Sequence, residues 1–215
     1  MRIVALIMAG GKGTRFGKEI EKPMVKLLGK SLIRRVIEAT KASKKISETY
    51  VAVTAYNSQT AEEATKASAK VIVTEGQGYH ADLRQAILTL NLTCPVLTIS
   101  SDLPLLTGEF LDEIIVRFEE SRKPSLTVLV PVEQYQKYGL HPTTLEKRKG
   151  NHAVSGINIV DGKQILEEQP QEDLQEEIII CRTPEAMFNV NTPEDLESAE
   201  KYLLRSEKSQ VIEGS

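Results

Sequence analysis

The stretch RIVALIMAGGKGTRFGKEIEKP, residues 2–23, decides the fold of this chain. Its apolar part, Ile3 to Met8, has the length of one buried strand, and a glycine-rich loop follows it directly. The loop carries several cations, among them Lys12, Arg15 and Lys22. Because glycines let backbone N–H groups approach an anion without a Cβ in the way, this pattern predicts a polyphosphate site. The expected ligand is a nucleoside triphosphate.

Two better-known phosphate-binding loops do not match this stretch. The Walker A pattern G-x-x-x-x-G-K-[ST] does not occur in the chain. The dinucleotide pattern G-x-G-x-x-G is missed by one residue, because Gly11, Gly13 and Gly17 are spaced G-x-G-x-x-x-G. Arg15 lies inside that turn, where a guanidinium can bind phosphate in a bidentate manner. An NAD-linked oxidoreductase is therefore disfavoured, although binding of NAD would restore it as an alternative.

The composition predicts one soluble domain. The chain has 215 residues, of which 40% are hydrophobic and 27% charged, and no apolar run approaches the roughly 20 residues of a membrane span. We expect a single domain over 1–206, a disordered tail over 207–215 and a cytoplasmic location. Cys94 and Cys181 lack a C-x-x-C spacing and are expected to be reduced core residues.

Charge is distributed unevenly along the chain. Residues 1–45 contain 12 Lys and Arg against 3 Asp and Glu, whereas the whole chain has a net charge of −3. A basic segment can indicate nucleic-acid binding, but Phe16 is the one aromatic residue in it, so platforms for base stacking are missing. We expect no nucleic-acid partner and no membrane partner. A small phosphorylated substrate fits the charge better, and a homodimer is compatible with the sequence.

Short apolar runs alternate with longer amphipathic stretches, which predicts an α/β protein. The expected fold has three layers and is Rossmann-like, with a mostly parallel central sheet. Residues 132–152 are predicted to be irregular. Expected strands cover 2–8, 49–54, 70–74, 96–99, 126–130, 153–160 and 178–181; expected helices cover 32–43, 58–68, 79–90, 108–120 and 193–205.

Several polar segments are expected at the carboxyl ends of the strands, where parallel α/β sheets bind their ligands. They are the glycine-rich loop, Glu75 to Gly78, Asp102 and Asn189 to Asn191. Asp102 follows a buried strand directly, and its carboxylate is suited to hold Mg²⁺; Asn191 is a candidate for a second oxygen ligand. His80, His141 and His152 show no metal-ligand spacing.

These charges suit transfer of a nucleotidyl group. Attack on an α-phosphate with departure of pyrophosphate needs alignment and neutralisation of negative charge more than a nucleophilic side chain. Lys12 and Arg15 are expected on the β- and γ-phosphates, and Lys22 on the α-phosphate or the acceptor. The alternative from another class is a binding module that senses GTP without turnover.

The motifs MAGGKGTRFG at 8–17, EKP at 21–23, SSDLP at 100–104 and NVNTPEDL at 189–196 resemble the MobA-like nucleotidyltransferases. Within that family, GQGYHADL at 76–83 and GIN at 156–158 look like the archaeal guanylyltransferases that convert adenosylcobinamide phosphate in cobalamin biosynthesis. The resemblance covers most of residues 1–205. It implies GMP transfer from GTP to adenosylcobinamide phosphate, with pyrophosphate as the second product and Mg²⁺ as cofactor.

The resemblance also implies roles for individual residues. Arg15, Lys22 and Asp102 would be catalytic, Asp102 and Asn191 would hold the metal, and Gly156 and Asn158 would border the acceptor. Glu75 could accept hydrogen bonds from guanine, and Tyr135, Tyr138 and Lys147 could cover the acceptor. The expected nucleotide-binding residues are Met8, Ala9, Gly10, Gly11, Lys12, Gly13, Thr14, Thr74, Glu75, Gly76 and Gly78.

One departure from the pattern of the molybdopterin branch ranks the alternative functions. The molybdopterin branch of the family typically has Asp before the loop lysine, whereas this chain has Glu21 before Lys22. Molybdopterin guanylyl transfer is therefore the second expectation, and sugar-1-phosphate nucleotidyl transfer the third.

Overall fold

The computed structural model describes residues 2–11, 20–140, 142, 145–146, 150–167 and 175–213, with the backbone alone over 207–213. Its strands and helices are numbered here in chain order. The strands are β1 Ile3–Met8, β2 Lys26–Leu27, β3 Lys30–Ser31, β4 Ile46–Thr54, β5 Lys70–Thr74, β6 Pro95–Ser100, β7 Ser125–Pro131, β8 Leu145–Glu146, β9 His152–Asp161 and β10 Glu176–Ile180. The helices are α1 Leu32–Ala42, α2 Ser58–Lys66, α3 Tyr79–Leu90, α4 Gly108–Ser121, α5 Val132–Lys137, α6 Gly162–Leu166, α7 Pro184–Met187 and α8 Pro193–Glu213; Lys22–Met24 is a 3-10 turn.

The central sheet has the strand order β10-β7-β9-β6-β1-β4-β5, and β8 pairs with β9 outside this row. β1 pairs in parallel with β4 and β6, β4 with β5, and β7 with β10. Only β9 in this row runs antiparallel, between β6 and β7. The predicted α/β fold with a mostly parallel sheet is confirmed. The parallel strands therefore bring their carboxyl ends, and the loops after them, to one edge.

Alternating side chains of β1 fill two cores, one on each face of the sheet. Ile3 and Ile7 pack with α1 and α4, whereas Val4 and Leu6 pack with α3 on the opposite face. All four side chains are fully buried, which stabilises the fold by about 1.5–3 kcal/mol for each. This two-sided burial explains why β1 reads as a continuous apolar run, as strands of parallel sheets do.

Side-chain caps start three helices where the sequence predicts them. Ser31 accepts a hydrogen bond from Arg34 N at 3.3 Å, and Thr107 accepts one from Phe110 N at 3.1 Å. At α8, Asp195 N donates to the Thr192 hydroxyl at 3.2 Å and the Asp195 carboxylate accepts from Thr192 N at 2.9 Å. This reciprocal pair is a capping box with Asp in the third position.

The structure differs from the predicted elements in two respects. The segment expected to be irregular begins with α5, which covers Val132–Lys137, and α8 continues to Glu213 instead of ending near Arg205. Short elements such as α6 and α7 were not predicted, because four or five residues carry too little periodicity. None of the helices in the described ranges combines the length and apolar character needed to cross a lipid bilayer.

Candidate active site

The segment from Met8 to Gly11 crosses the edge of the sheet where the strand ends meet. On one side, Met8 O accepts a hydrogen bond from Ser101 N at 3.2 Å, next to Asp102. On the other side, Ala9 N donates to Ala52 O at 2.8 Å, near the end of β4. The predicted loop thus connects two regions, one beyond β6 and one beyond β4 and β5. We call them the charged side and the glycine side.

The charged side centres on the ammonium group of Lys22. Its Nζ donates to Asp102 Oδ2 at 2.5 Å and to Asn191 Oδ1 at 2.7 Å. The side chains of Lys22 and Asp102 are only 18% and 12% exposed. A buried pair of this kind costs desolvation and is a weak source of stability, so its presence at a strand-end edge points to function. Three residues that the sequence analysis named separately therefore form one cluster.

Lys22 is positioned by its neighbour Glu21. The Glu21 carboxylate accepts hydrogen bonds from Gln59 N at 2.9 Å, Thr60 N at 2.8 Å and the Thr60 hydroxyl at 2.6 Å. It thereby satisfies N–H groups of the first turn of α2, where a negative charge is favourable. The sequence analysis used Glu21 only to rank the branches of the family and did not predict this anchoring role. Nothing local in E-K-P signals a partner 38 residues away.

Asp102 and Asn191 are held by backbone contacts around the start of α8. Asp102 O accepts from Val190 N at 2.9 Å, and Asp195 accepts from Asn191 N at 2.9 Å. Asn189 was noted in the sequence without a role. Its Nδ2 donates to Ser155 O at 2.9 Å and contacts Asp102 Oδ1 at 3.4 Å. Asn189 therefore links the aspartate to β9, a contact that the N-x-N spacing alone does not reveal.

The donor set of the charged side fits a divalent cation. Asp102 Oδ2 and Asn191 Oδ1 converge on one point, which the Lys22 ammonium takes. Mg²⁺ prefers such oxygens and commonly binds through one or two protein ligands together with substrate phosphates. Among the described residues, no group of three His, Cys, Asp or Glu side chains forms a metal centre. These two oxygens would hold a metal together with water or with phosphates of the nucleotide.

On the glycine side, Gly10 and Gly76 pack closely against Thr54, and we call these three residues the floor. A Cβ on Gly10 would lie 2.9 Å from Thr54 Cγ2, and one on Gly76 would lie 3.1 Å from the same methyl. Gly76 also has φ +75°, which favours glycine. The Thr54 hydroxyl donates to Asn57 Oδ1 at 2.6 Å, so the methyl group is what both glycines contact. A floor with one methyl and two bare backbones suits a planar ring.

The segment from Glu75 to Gly78 follows the floor and is exposed. Its N–H groups point to α3: Glu75 N donates to Gln85 Oε1 at 2.9 Å, and Gly76 N and Gln77 N donate to Asp82 Oδ1 at 2.9 and 3.2 Å. Thr74 precedes the segment and is buried, with its hydroxyl donating to Val53 O at 3.2 Å. The predicted base-binding residues Thr74, Glu75, Gly76 and Gly78 thus lie together on the glycine side.

The two predicted acceptor residues differ in position. Gly156, with φ +89°, lies against the end of β6, where a Cβ would be 2.9 Å from Ser100 Cβ and 3.7 Å from Asn189 Nδ2. It therefore borders the charged side. Asn158 lies two residues further from the edge, paired with Thr98 of β6 and Thr127 of β7.

Asn158 belongs to a polar row across the sheet. Its amide is within hydrogen-bond distance of the Thr127 hydroxyl at 3.0 Å and the Tyr79 hydroxyl at 3.4 Å, and Tyr79 also contacts the Thr98 hydroxyl at 2.8 Å. Desolvation raises the pKa of the Tyr79 phenol above its ordinary value.

The expected cover over the acceptor is wrong for both tyrosines. Tyr135 is 2% exposed, and its pKa is raised by burial and by the negative charge of Asp102. Tyr138 packs edge-on against Phe188 and Tyr202 with ring centroids 5.3 and 5.7 Å apart. Both belong to the core beneath the site, because α5 folds back onto the end of β7 instead of extending over solvent.

Some predicted residues lie outside the part of the chain that the structure describes. They are the glycine-loop residues Lys12, Gly13, Thr14 and Arg15, and Lys147 of the expected cover. Their roles remain predictions.

Comparisons with known proteins agree with this geometry. The chain is 34% identical over 93% of its length to an adenosylcobinamide-phosphate guanylyltransferase of Methanocaldococcus jannaschii, covering 96% of that relative. It is 30% identical over 90% of its length to a probable molybdenum cofactor guanylyltransferase of Thermococcus gammatolerans, covering 97% of it. The solved structure of CMP:2-keto-3-deoxy-manno-octonic acid synthetase with CTP shares the fold, with a TM-score of 0.71, 14% identity and coverage of 96% of this chain and 100% of that one.

The resemblance stated for the sequence is thereby confirmed. The sequence profile of the MobA-like NTP transferase domain matches residues 5–171, which include β1, its loop, Lys22 and Asp102. The chain is a nucleotidyltransferase and belongs to the family of MobA-like NTP transferases.

Proposed function

We propose that this enzyme transfers GMP from GTP to adenosylcobinamide phosphate and releases pyrophosphate. The observation that carries the proposal is the partly buried cluster of Lys22, Asp102 and Asn191 at the strand-end edge, beside the floor of Gly10, Thr54 and Gly76. The acceptor is inferred from the relative in M. jannaschii, to which the chain is similar over nearly its whole length.

The reaction needs no nucleophilic side chain. A phosphate oxygen of the acceptor attacks the α-phosphorus of GTP, and the bond from that phosphorus to the oxygen bridging to the β-phosphate breaks. The electron pair leaves with pyrophosphate. Because negative charge accumulates on phosphate oxygens in such a step, positioned cations are the main requirement.

We assign the cationic role on the described residues to Lys22. The carboxylate of Glu21, the residue before it, anchors this part of the chain to the start of α2, so the backbone of Lys22 is already ordered when phosphate binds. Lys12 and Arg15 would bind the β- and γ-phosphates, as predicted from the loop sequence. Asp102 and Asn191 would hold Mg²⁺, which supplies further neutralisation of phosphate charge when bound.

The glycine side would receive the guanine base on the floor of Gly10, Thr54 and Gly76. Met8, Ala9 and Gly11 continue this surface, and Glu75 with Gly78 borders it. Gly156 would face the acceptor phosphate, because it lies beside Ser100 and Asn189 near Asp102. Asn158 and its polar row would meet a more distant part of the acceptor. We further propose that the enzyme works in the cytoplasm and forms a homodimer.

A second candidate is guanylyl transfer to molybdopterin, favoured by the 30% identity to the T. gammatolerans relative. The structure weakens the argument that ranked it second. Glu21, the residue that departs from the molybdopterin pattern, has its carboxylate on the start of α2 and not on the charged cluster. Its identity therefore bears on the anchoring of Lys22 more than on acceptor choice.

The test is pyrophosphate release with GTP and Mg²⁺ in the presence of adenosylcobinamide phosphate, molybdopterin, a sugar 1-phosphate or no acceptor. We expect release only with the first, together with a product heavier by one GMP in mass spectrometry. Release with molybdopterin alone would transfer the proposal to the second candidate. Tight GTP binding without release for any acceptor would instead support a sensing module. Asp102→Ala serves as the inactive control and Glu113→Ala, on the exposed face of α4, as the active one.

A further inference from the structure

The N–H groups of the segment Glu75 to Gln77 are all used within the protein. Gln85 accepts the first, and one oxygen of Asp82 accepts the other two. Asp82 is 7% exposed and lies in the first turn of α3, so this arrangement is part of the folded framework.

The exposed surface of this segment therefore offers hydrogen-bond acceptors. Residues 75–77 are exposed and their N–H groups are bonded to α3, so the groups left to contact a bound base are their carbonyl oxygens and the Glu75 carboxylate. The buried Asp82 carboxylate adds negative charge behind the same segment. Any ring on the adjacent floor of Gly10, Thr54 and Gly76 would meet acceptors at this border.

Such a border discriminates among nucleobases. Guanine carries two adjacent donor groups on its pairing edge, N1–H and the 2-amino group. Adenine has one donor group, and it lies beside the N1 acceptor. In each pyrimidine, too, the donor on the pairing edge has an acceptor atom next to it. A buried or half-buried acceptor that faces another acceptor has no hydrogen-bond partner. Leaving it unpaired costs more free energy than a typical hydrogen bond contributes.

We propose that Asp82 and Gln85 are positioning residues that make this enzyme selective for guanine, by occupying the N–H groups of 75–77 so that only acceptors meet the base. The inference rests on the proposed function, because it takes the floor as the base site. It extends the expectation that Glu75 accepts from guanine, because selectivity would reside in the whole segment and in the α3 residues that orient it.

The test measures dissociation constants of GTP, ITP and ATP by competition against a fluorescent GTP analogue, with Mg²⁺ and the full chain. ITP lacks the 2-amino group of GTP and so removes one donor. For the unchanged enzyme we expect GTP to bind about tenfold more tightly than ITP and about 100-fold more tightly than ATP, on the basis of about 1.4 kcal/mol for each tenfold change.

Asp82→Ala frees two N–H groups toward the border, and we expect it to reduce the GTP-to-ATP ratio by about tenfold or more. Asp82→Asn is the matched control, since its carboxamide oxygen can still accept both bonds and should preserve the ratio within about threefold. Gln85→Ala releases only the Glu75 N–H and should change the ratio less. If Asp82→Ala folds poorly, the GTP-to-ATP ratio of Gln85→Ala still tests the proposal.

Equal weakening of all three nucleotides in Asp82→Ala and Gln85→Ala would overturn the proposal, because it would show a purely structural role. Equal affinity of the unchanged enzyme for GTP and ATP would overturn it too. In that case acceptor-dependent pyrophosphate release would still support nucleotidyl transfer. The two failures are therefore distinguishable.

Discussion

The charged side and the glycine side of this site are built in opposite ways. The charged side brings three long or polar side chains to one point, with Lys22 Nζ at 2.5 Å from Asp102 and 2.7 Å from Asn191. The glycine side exposes backbone, and its floor has one methyl group between two residues without a Cβ. Binding of phosphate and metal on the charged side depends on the side chains present there. Binding of a base on the glycine side depends on the absence of side chains at the two glycines. Truncation should therefore damage the first side, and enlargement the second.

The largest effect is expected from truncation on the charged side. Asp102→Ala should lower kcat by about two to three orders of magnitude, since a group that holds charge-stabilising cations is lost. The melting temperature should also fall, because removal of one partner leaves the largely buried Lys22 ammonium without its counter-charge. Steady-state pyrophosphate release and a thermal melt check both points. A kcat within a few fold of the unchanged enzyme would contradict the assignment of Asp102.

On the same side, Lys22→Met distinguishes the role of the lysine from that of the metal. Turnover should fall by about two orders of magnitude, because a phosphate-binding cation is lost. Without nucleotide, however, Mn²⁺ should bind several-fold more tightly, since the ammonium no longer occupies the Asp102 and Asn191 oxygens. Electron paramagnetic resonance of free Mn²⁺ measures this affinity.

The control for this experiment is Lys26→Met, an exposed lysine four residues along the chain. It should leave Mn²⁺ affinity unchanged. Weaker Mn²⁺ binding in Lys22→Met than in Lys26→Met would argue against a shared position of lysine and metal.

On the glycine side, Gly10→Ala tests enlargement. Its new Cβ would lie 2.9 Å from Thr54 Cγ2, so the floor must shift. We expect KM for GTP to rise about tenfold with a smaller change in kcat, because binding of the base is affected more than the phosphate chemistry. Adding Thr54→Ser removes the contacted methyl but keeps the hydroxyl that donates to Asn57, and should restore most of the affinity. A double variant as weak as Gly10→Ala would refute the steric explanation.

The smallest effect is expected at the other end of the strands, where charges are exposed. Hydrogen bonds from Lys70 and Tyr50 lower the pKa of Glu48 to about 2. The stabilisation from these hydrogen bonds is fully present above the unfolded-state pKa of about 4.3. It is lost as the pH falls from that value through the folded-state pKa of about 2. Since its partners Arg2 and Lys70 are 64% and 62% exposed, the contribution of Glu48 is below about 1 kcal/mol. The difference in unfolding free energy between the unchanged enzyme and Glu48→Gln should therefore shrink between pH 6 and pH 3. A constant difference would contradict the prediction.

Local patterns accounted for much of this protein before its structure. The helix from Tyr79 to Leu90 and the strand from Lys70 to Thr74 have the predicted bounds, since their periodicity and flanking residues are local. Tyr135 and Tyr138 were misassigned because aromatic residues in a polar stretch look like a surface loop. Tyr138 packs against Phe188 and Tyr202, which lie far along the chain.

By itself, the sequence determined the fold class, the family and the position of the site. A buried strand followed by glycines and cations is a local pattern whose meaning does not depend on the rest of the chain. Only the tertiary structure decided which side chains act together. Lys22 meets partners 80 and 169 residues away, because parallel strands bring distant loops to one edge. The same is true of Glu21 on α2 and of Asp82 behind the base-facing segment, whose partners are fixed by how helices pack against the sheet.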